Sequence, residues 1–176
     1  HLAYIRKGLV KICINEHDEE MLLSVEKRGS WIGLHALSPA TTYPYSAYAC
    51  EEVEVCLFNI GSINAFIQNN ASFGSALMKL INESAVLNYQ RMASVCLKQV
   101  HGKFADLMLF LSLSIYKKTE FTTSLSKKDM ASLTNMSPES FSRVLKDFIK
   151  DKIMSYEGDH ITIIDYKKMR KISVSG

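Results

Sequence analysis

Between Ser126 and Lys152 the sequence SKKDMASLTNMSPESFSRVLKDFIKDK leaves little choice of structure. Phe141, Val144, Leu145 and Phe148 recur at i, i+3, i+4 and i+7, a helical stripe that must be buried. Glu139, Ser142, Arg143, Lys146 and Lys150 fall on the opposite side, and these residue types can read base edges and hold phosphates. Ahead of this helix lies a shorter one. Ser126 is a good N-cap, with Asp129 three residues on in a capping-box-like pair. Ala131 is small where the helices have to cross, and Asn135 stands where the turn needs a left-handed residue. Ser137 then caps the second helix with Pro138 at its first position, where no N–H is needed. Two helices set this way have the geometry of a helix-turn-helix, and the expected ligand is double-stranded DNA. An ordinary helical hairpin with a solvated polar face would use the same residues, so the flanking sequence has to distinguish the two.

It does so in two ways. Residues 153–156, the turn Glu157-Gly158-Asp159 and residues 160–164 read as strand, turn and strand, a wing beside the second helix. Asp165 to Ile172 reads as a short basic closing helix. Charge agrees: residues 117–176 hold 12 Lys/Arg against 8 Asp/Glu, whereas residues 1–116 hold 9 against 10.

At 176 residues and 47% apolar, the chain has enough material for one large or two small globular domains. It contains no continuous apolar run long enough to span a bilayer, which needs about 18 residues, and no secretory signal opens it. Cys13, Cys50, Cys56 and Cys96 lack C-x-x-C spacing and read as reduced, mostly buried thiols of a cytoplasmic protein rather than metal ligands. No nucleophile elbow, H-E-x-x-H or phosphate-cradling Gly loop is present, so an enzyme is not expected.

Residues 1–58 alternate in the manner of strands. Val10, Ile12 and Ile14 form one set; Met21, Leu23 and Val25 follow the acidic turn Glu16-His17-Asp18-Glu19-Glu20; Val53, Val55 and Leu57 close the series. With Gly8, Gly29 and Gly33 as punctuation, this predicts a compact antiparallel β-barrel or roll, followed by a short helix over 62–69. From Ala71 to about Gln99 two helical stripes run in parallel. One is Phe73, Leu77, Leu80, Ser84 and Leu87; the other is Met78, Ile81, Ala85, Asn88, Met92 and Val95. A long helix apolar on two faces needs two partners, and the second is expected to be a symmetry mate in a homodimer. The pattern breaks at residues 100–103, with Gly102 as the expected hinge, and a further helix is expected over 104–116.

The whole arrangement is an α+β chain: a β-roll with its short helix over 1–70, a dimerisation helix over 71–100 and a winged helix-turn-helix over 101–176. In that order it resembles the Crp/Fnr family of bacterial transcription regulators. The most specific part is Glu139-Ser140-Phe141-Ser142-Arg143, which is similar to the E-x-x-S-R recognition pattern of the Fnr-like branch. Gly102-Lys103-Phe104-Ala105 and Ile161-Thr162-Ile163-Ile164-Asp165 also look like family sequence. The resemblance implies DNA contacts from Ser137, Glu139, Ser140, Ser142, Arg143 and Lys146, a TTGA-like half-site, and RNA polymerase as a partner. It also implies that the family's usual N-terminal helix and first strands, where Fnr-type iron–sulfur cysteines lie, precede the present His1.

The expected effector pocket departs from the family. Cyclic-AMP-binding members carry a Glu for the ribose and an Arg-Ser pair for the cyclic phosphate. Here the matching stretches are Gly33-Leu34-His35 and Tyr45-Ser46-Ala47, so Leu34 replaces the Glu and Tyr45 the Arg. A buried phosphate without a cation is poorly compensated, and cyclic AMP is not the expected ligand. The sequence names no other effector, although Trp31, Tyr43, Tyr45 and Tyr48 make the region aromatic. Two readings stand: a homodimeric DNA-binding regulator that does not respond to cyclic AMP, and a cyclic-nucleotide sensor with a noncanonical cassette.

Overall fold

The computed structural model describes residues 1–17, 19–37 and 42–176. It divides into two compact units, His1–Gln90 and Arg91–Gly176.

The first unit is built on six strands: β1 Leu2–Lys7, β2 Leu9–Glu16, β3 Glu19–Lys27, β4 Trp31–Ile32, β5 Ser46–Ala49 and β6 Glu54–Phe58. They form two antiparallel three-stranded sheets, in the orders β4-β1-β6 and β3-β2-β5. Ile5, Val10 and Ile12 centre the core, with Leu23, Ile32, Tyr45 and Val53 packed against them. Gly8, at φ +89°, permits the turn from β1 to β2, where an added Cβ would lie 2.5 Å from the Glu52 carbonyl oxygen.

The strict alternation expected of these strands is broken by a bulge. Ile12 pairs with Ser24 but Cys13 pairs with Leu22, so Leu23 is the extra residue on β3. Beyond the bulge the faces exchange. Ile12 and Cys13 are both buried, Leu22 is buried instead of Met21, and Met21 is exposed. On the edge strand β6, Val55 and Leu57 are likewise exposed rather than core. In the acidic turn, Asp18 lies outside the described residues, and His17 takes the left-handed conformation, φ 51°. The thiols are less buried than expected. Cys13 is buried, Cys50 and Cys56 are half-buried and Cys96 is exposed, and none of the four is in a disulfide among the described residues.

Helix α1, Ile60–Asn69, begins two residues earlier than the periodicity suggests because Asn59 caps it, its side chain accepting the Ser62 N–H. Helix α2, Ala71–Leu97, follows directly, and Phe73 meets Phe66 of α1 edge to face at 4.8 Å. Of its two stripes, the one beginning Phe73, Leu77 and Leu80 turns inward only over its first turns, Leu77 being buried, whereas Ser84 and Leu87 further along it are exposed. The other stays open: Met78 is 60% exposed, Ile81 36% and Met92 67%.

In the second unit, α3 spans Val100–Phe110 and continues as a π-helical segment, Leu111–Tyr116. Gly102 is not a hinge. It sits within α3, buried, and an added Cβ would come within 2.8 Å of the Gly176 backbone. The break falls earlier, at Lys98 and the extended N-cap Gln99. Strand β7, Glu120–Thr122, then leads to α4, Lys127–Leu133, and α5, Pro138–Lys150. Strands β8, Met154–Glu157, and β9, His160–Ile163, precede α6, Tyr166–Ser175, which Asp165 caps. The wing is therefore a three-stranded antiparallel sheet, β7-β9-β8. Phe104 of α3 packs on Phe141 and Phe148 of α5, at 5.1 and 4.7 Å between ring centroids. Among the described residues no helix is long and apolar enough to cross a membrane.

Candidate nucleic-acid interface and effector pocket

The turn between α4 and α5 is held by local chemistry. Ser126 Oγ accepts the Asp129 N–H while Asp129 accepts the Ser126 N–H, both at 3.0 Å, a complete capping box. At the other end of α4, Asn135 is left-handed at φ 50°. Its N–H reaches the Ser132 carbonyl and the Met136 N–H reaches that of Ala131, both at 3.0 Å. This Schellman closure satisfies two carbonyls that the helix end would otherwise leave bare. Ser137 then starts α5 by accepting the Ser140 N–H at 3.1 Å, with Pro138 at the first turn. The far end of α5 closes in the same way, with Lys152 left-handed and the Ile153 N–H on the Phe148 carbonyl at 3.0 Å.

These caps fix where α5 begins and ends, and its apolar stripe fixes its rotation. Phe141, Val144, Leu145 and Phe148 are buried, so the opposite face is turned outward. Ser137, Glu139, Arg143 and Lys146 are exposed on it, and Ser140 and Ser142 are half-buried. The Glu139 carboxyl is held below its usual range first by its own backbone N–H and second by the Ser137 hydroxyl. It is an acceptor-only carboxylate at neutral pH.

One pairing outside α5 escaped the sequence reading. Lys127, first in α4, lies over the Tyr156 ring of β8 at 5.0 Å from its centroid. Burial, and after it the Asp159 carboxylate, push the Tyr156 phenol up, so it remains a neutral donor. The signal was weak, because a lysine at a helix start and a tyrosine in a wing share no periodicity. Only the fold brings them together.

In the first unit, Gly33 (φ +93°) precedes a 3-10 turn, Leu34–Leu37, and its N–H donates to the Tyr45 hydroxyl at 2.9 Å. Tyr43 crowds the same glycine: an added Cβ would lie 2.6 Å from its hydroxyl oxygen. His35 meets Tyr43 and Tyr45 edge-on at 5.0 and 5.1 Å. Of the pocket candidates, Gly33 and Tyr45 are joined here, and Leu34 follows Gly33 at the start of the 3-10 turn. Ser46 and Ala47 begin β5 opposite Cys13 and Ile12, with Ala47 exposed. Burial, chiefly, raises the Tyr45 phenol, and the Gly33 N–H offsets this only in part. Tyr43 and the Glu26 carboxylate push the phenol in the same direction as burial. The backbone donor is thus taken by a neutral hydroxyl, and the Glu26 carboxylate acts on that hydroxyl as a negative charge. These residues do not fit a cyclic phosphate. Among the described residues no cluster of three His, Cys, Asp or Glu side chains could hold a metal.

A capped helix-turn-helix with a three-stranded wing is a DNA-binding unit of the winged-helix class. Residues 90–172 match the Crp-like helix-turn-helix domain, and residues 1–70 match the cyclic nucleotide-binding domain. The chain belongs to the Crp/Fnr family of transcription regulators. Among curated relatives it is 23% identical to the transcriptional activator protein anr of Pseudomonas aeruginosa, over 92% of this chain and 68% of that protein. It is 22% identical to the fumarate and nitrate reduction regulatory protein of Vibrio cholerae, over 98% of this chain and 70% of that one. The fold is similar to that of FixK2 from Bradyrhizobium japonicum, with a TM-score of 0.90, 14% identity, and coverage of 99% of this chain and 88% of the other.

Proposed function

We propose that this regulator binds DNA as a homodimer through α2, reads an inverted-repeat operator with α5, and does not respond to cyclic AMP. The observation that carries the reading is the outward face of α5, where Arg143 and Glu139 stand free of the core on a helix locked at both ends. Arg pairs with guanine O6 and N7, and a carboxylate accepts from cytosine N4, so these two residues are assigned to one G·C pair in each half-site. Ser137, Ser140, Ser142 and Lys146, joined by Lys127 and Tyr156, are assigned to phosphates and neighbouring base edges. In this reading residues 1–70 are the sensor roll, 71–100 the dimer helix and 101–176 the DNA-binding domain. The protein works in the bacterial cytoplasm with RNA polymerase as its partner.

Selection of bound fragments from a random DNA pool tests the reading directly. The enriched sites should be inverted repeats with half-site centres about one helical turn, ~34 Å, apart. Arg143→Ala should weaken binding to the selected site by roughly 1–3 kcal/mol and relax the preference at its base pair. Unchanged affinity in the variant would remove α5 from the recognition role.

Cyclic AMP should leave the roll empty. With Tyr45 in place of the cassette cation and Leu34 in place of the ribose acceptor, an unpaired buried group costs ~1–3 kcal/mol before the phosphate is counted. Each further 1.4 kcal/mol is about another tenfold loss. Calorimetry should therefore detect no binding at micromolar nucleotide. A micromolar isotherm would mean that a cation from outside the cassette, Lys27 or Arg28, reaches the phosphate, and would restore the sensor reading.

A further inference from the structure

Three side chains around the C-terminal end of α2 reach different elements of the second unit. Arg91 Nη2 donates to the carbonyl of Leu133, the last residue of α4, at 3.2 Å. One turn on, Ser94 Oγ donates to the carboxylate of Asp106 on α3. Lys98, just past the helix end, sits 2.9 Å from Asp106 Oδ1 and 2.7 Å from Oδ2. The same ammonium donates to the Ser173 carbonyl on α6, while Ser173 Oγ donates to Asp106 Oδ1, each at 2.5 Å. The Lys98 and Asp106 side chains are only 27% and 24% exposed. One carboxylate therefore gathers α2, α3 and α6, and every polar group in the knot has a partner. Without it, Lys98 and the extended Gln99 would be a flexible link between two helices.

We infer that Asp106 and Arg91 are positioning residues for operator reading: they fasten the last two turns of α2 to the helix-turn-helix, so that α5 holds a set direction relative to those turns. Neither touches a base. They act by fixing the distance and angle between the two recognition helices, and so by selecting the half-site spacing. This rests on the dimeric reading above.

The test is a series of operators in which the two half-sites are moved apart or together by two base pairs, a shift of about 7 Å and about 70° around the duplex. A single half-site is titrated alongside. The unmodified protein should favour one spacing by about tenfold or more, because a rigid dimer cannot follow the rotation. Asp106→Asn keeps the side-chain size but removes the charge that holds Lys98. Arg91→Ala cuts the second anchor independently and leaves the knot intact. Both should bind the single half-site about as well as the unmodified protein, while the spacing preference flattens to about threefold or less. Retention of the sharp preference by both variants would overturn the positioning role. So would an equal loss on every DNA, which is the signature of a domain merely less stable. If the unmodified protein itself shows no spacing preference, the dimeric reading fails first and the positioning role falls with it.

Discussion

Phe148→Ala should unfold the second unit at temperatures where the unmodified protein is intact. Phe148 is 1% exposed, lies 4.7 Å from the Phe104 ring and stacks at 18° to the His101 ring. Truncation removes the side chain that joins α5 to α3, and loss of a buried phenyl ring from such a site leaves a cavity costing about 3–5 kcal/mol. In a unit of this size each kcal/mol lowers the melting temperature by about 4–8 °C, so the shift is easily resolved by calorimetry or circular dichroism. DNA binding should disappear with it, since α5 owes its rotation to this stripe. Ile149→Ala, next in the chain but on the outer side of the helix, should show a small fraction of the effect. Comparable losses in the two variants would mean that α5 is not rotated as described.

Ile81→Glu should convert the protein to a monomer and lower operator affinity by about 10²–10⁴-fold, the advantage of binding two linked half-sites over one. Ala71, Gly74, Met78, Ile81, Ala85, Asn88, Met92 and Val95 alternate steps of three and four along α2, the a and d pattern of a two-stranded coiled coil. A carboxylate at Ile81 would face its symmetry mate across that seam, like charge against like charge in a site otherwise closed to water. The roll should remain folded, because Leu77 and Leu80 point the other way. Leu80→Glu should do the reverse, destabilising the first unit. Light scattering and a thermal melt separate the two outcomes. A dimeric Ile81→Glu protein would place the interface elsewhere.

The helix-turn-helix was legible because it is written in local rules. Ser126, Asp129, Asn135, Ser137 and Pro138 each satisfy a backbone requirement within a few residues of themselves, and Phe141 to Phe148 keep a strict helical period. The roll was legible only as a class. One extra residue, Leu23, exchanged the faces of β2 and β3, and no alternating pattern announces where a bulge falls. Gly102 misled for a related reason: a glycine in a helical run reads as a break, yet here it admits the close approach of Gly176, a partner more than seventy residues away.

The chain alone therefore determined the order of elements, the caps that start and stop them, the polar outer face of α5 and the presence of Tyr, a side chain without charge, at position 45. All of these follow from residue identity and short-range spacing. The tertiary structure decided which stripe of α2 is inward, that the Tyr45 hydroxyl occupies the Gly33 N–H, that Lys127 lies over Tyr156, and that Asp106 binds Lys98 and Ser173 at once. Each of these depends on groups distant in sequence meeting at hydrogen-bond or van der Waals range. Such meetings are set by the packing of whole elements against one another, and no local period encodes them.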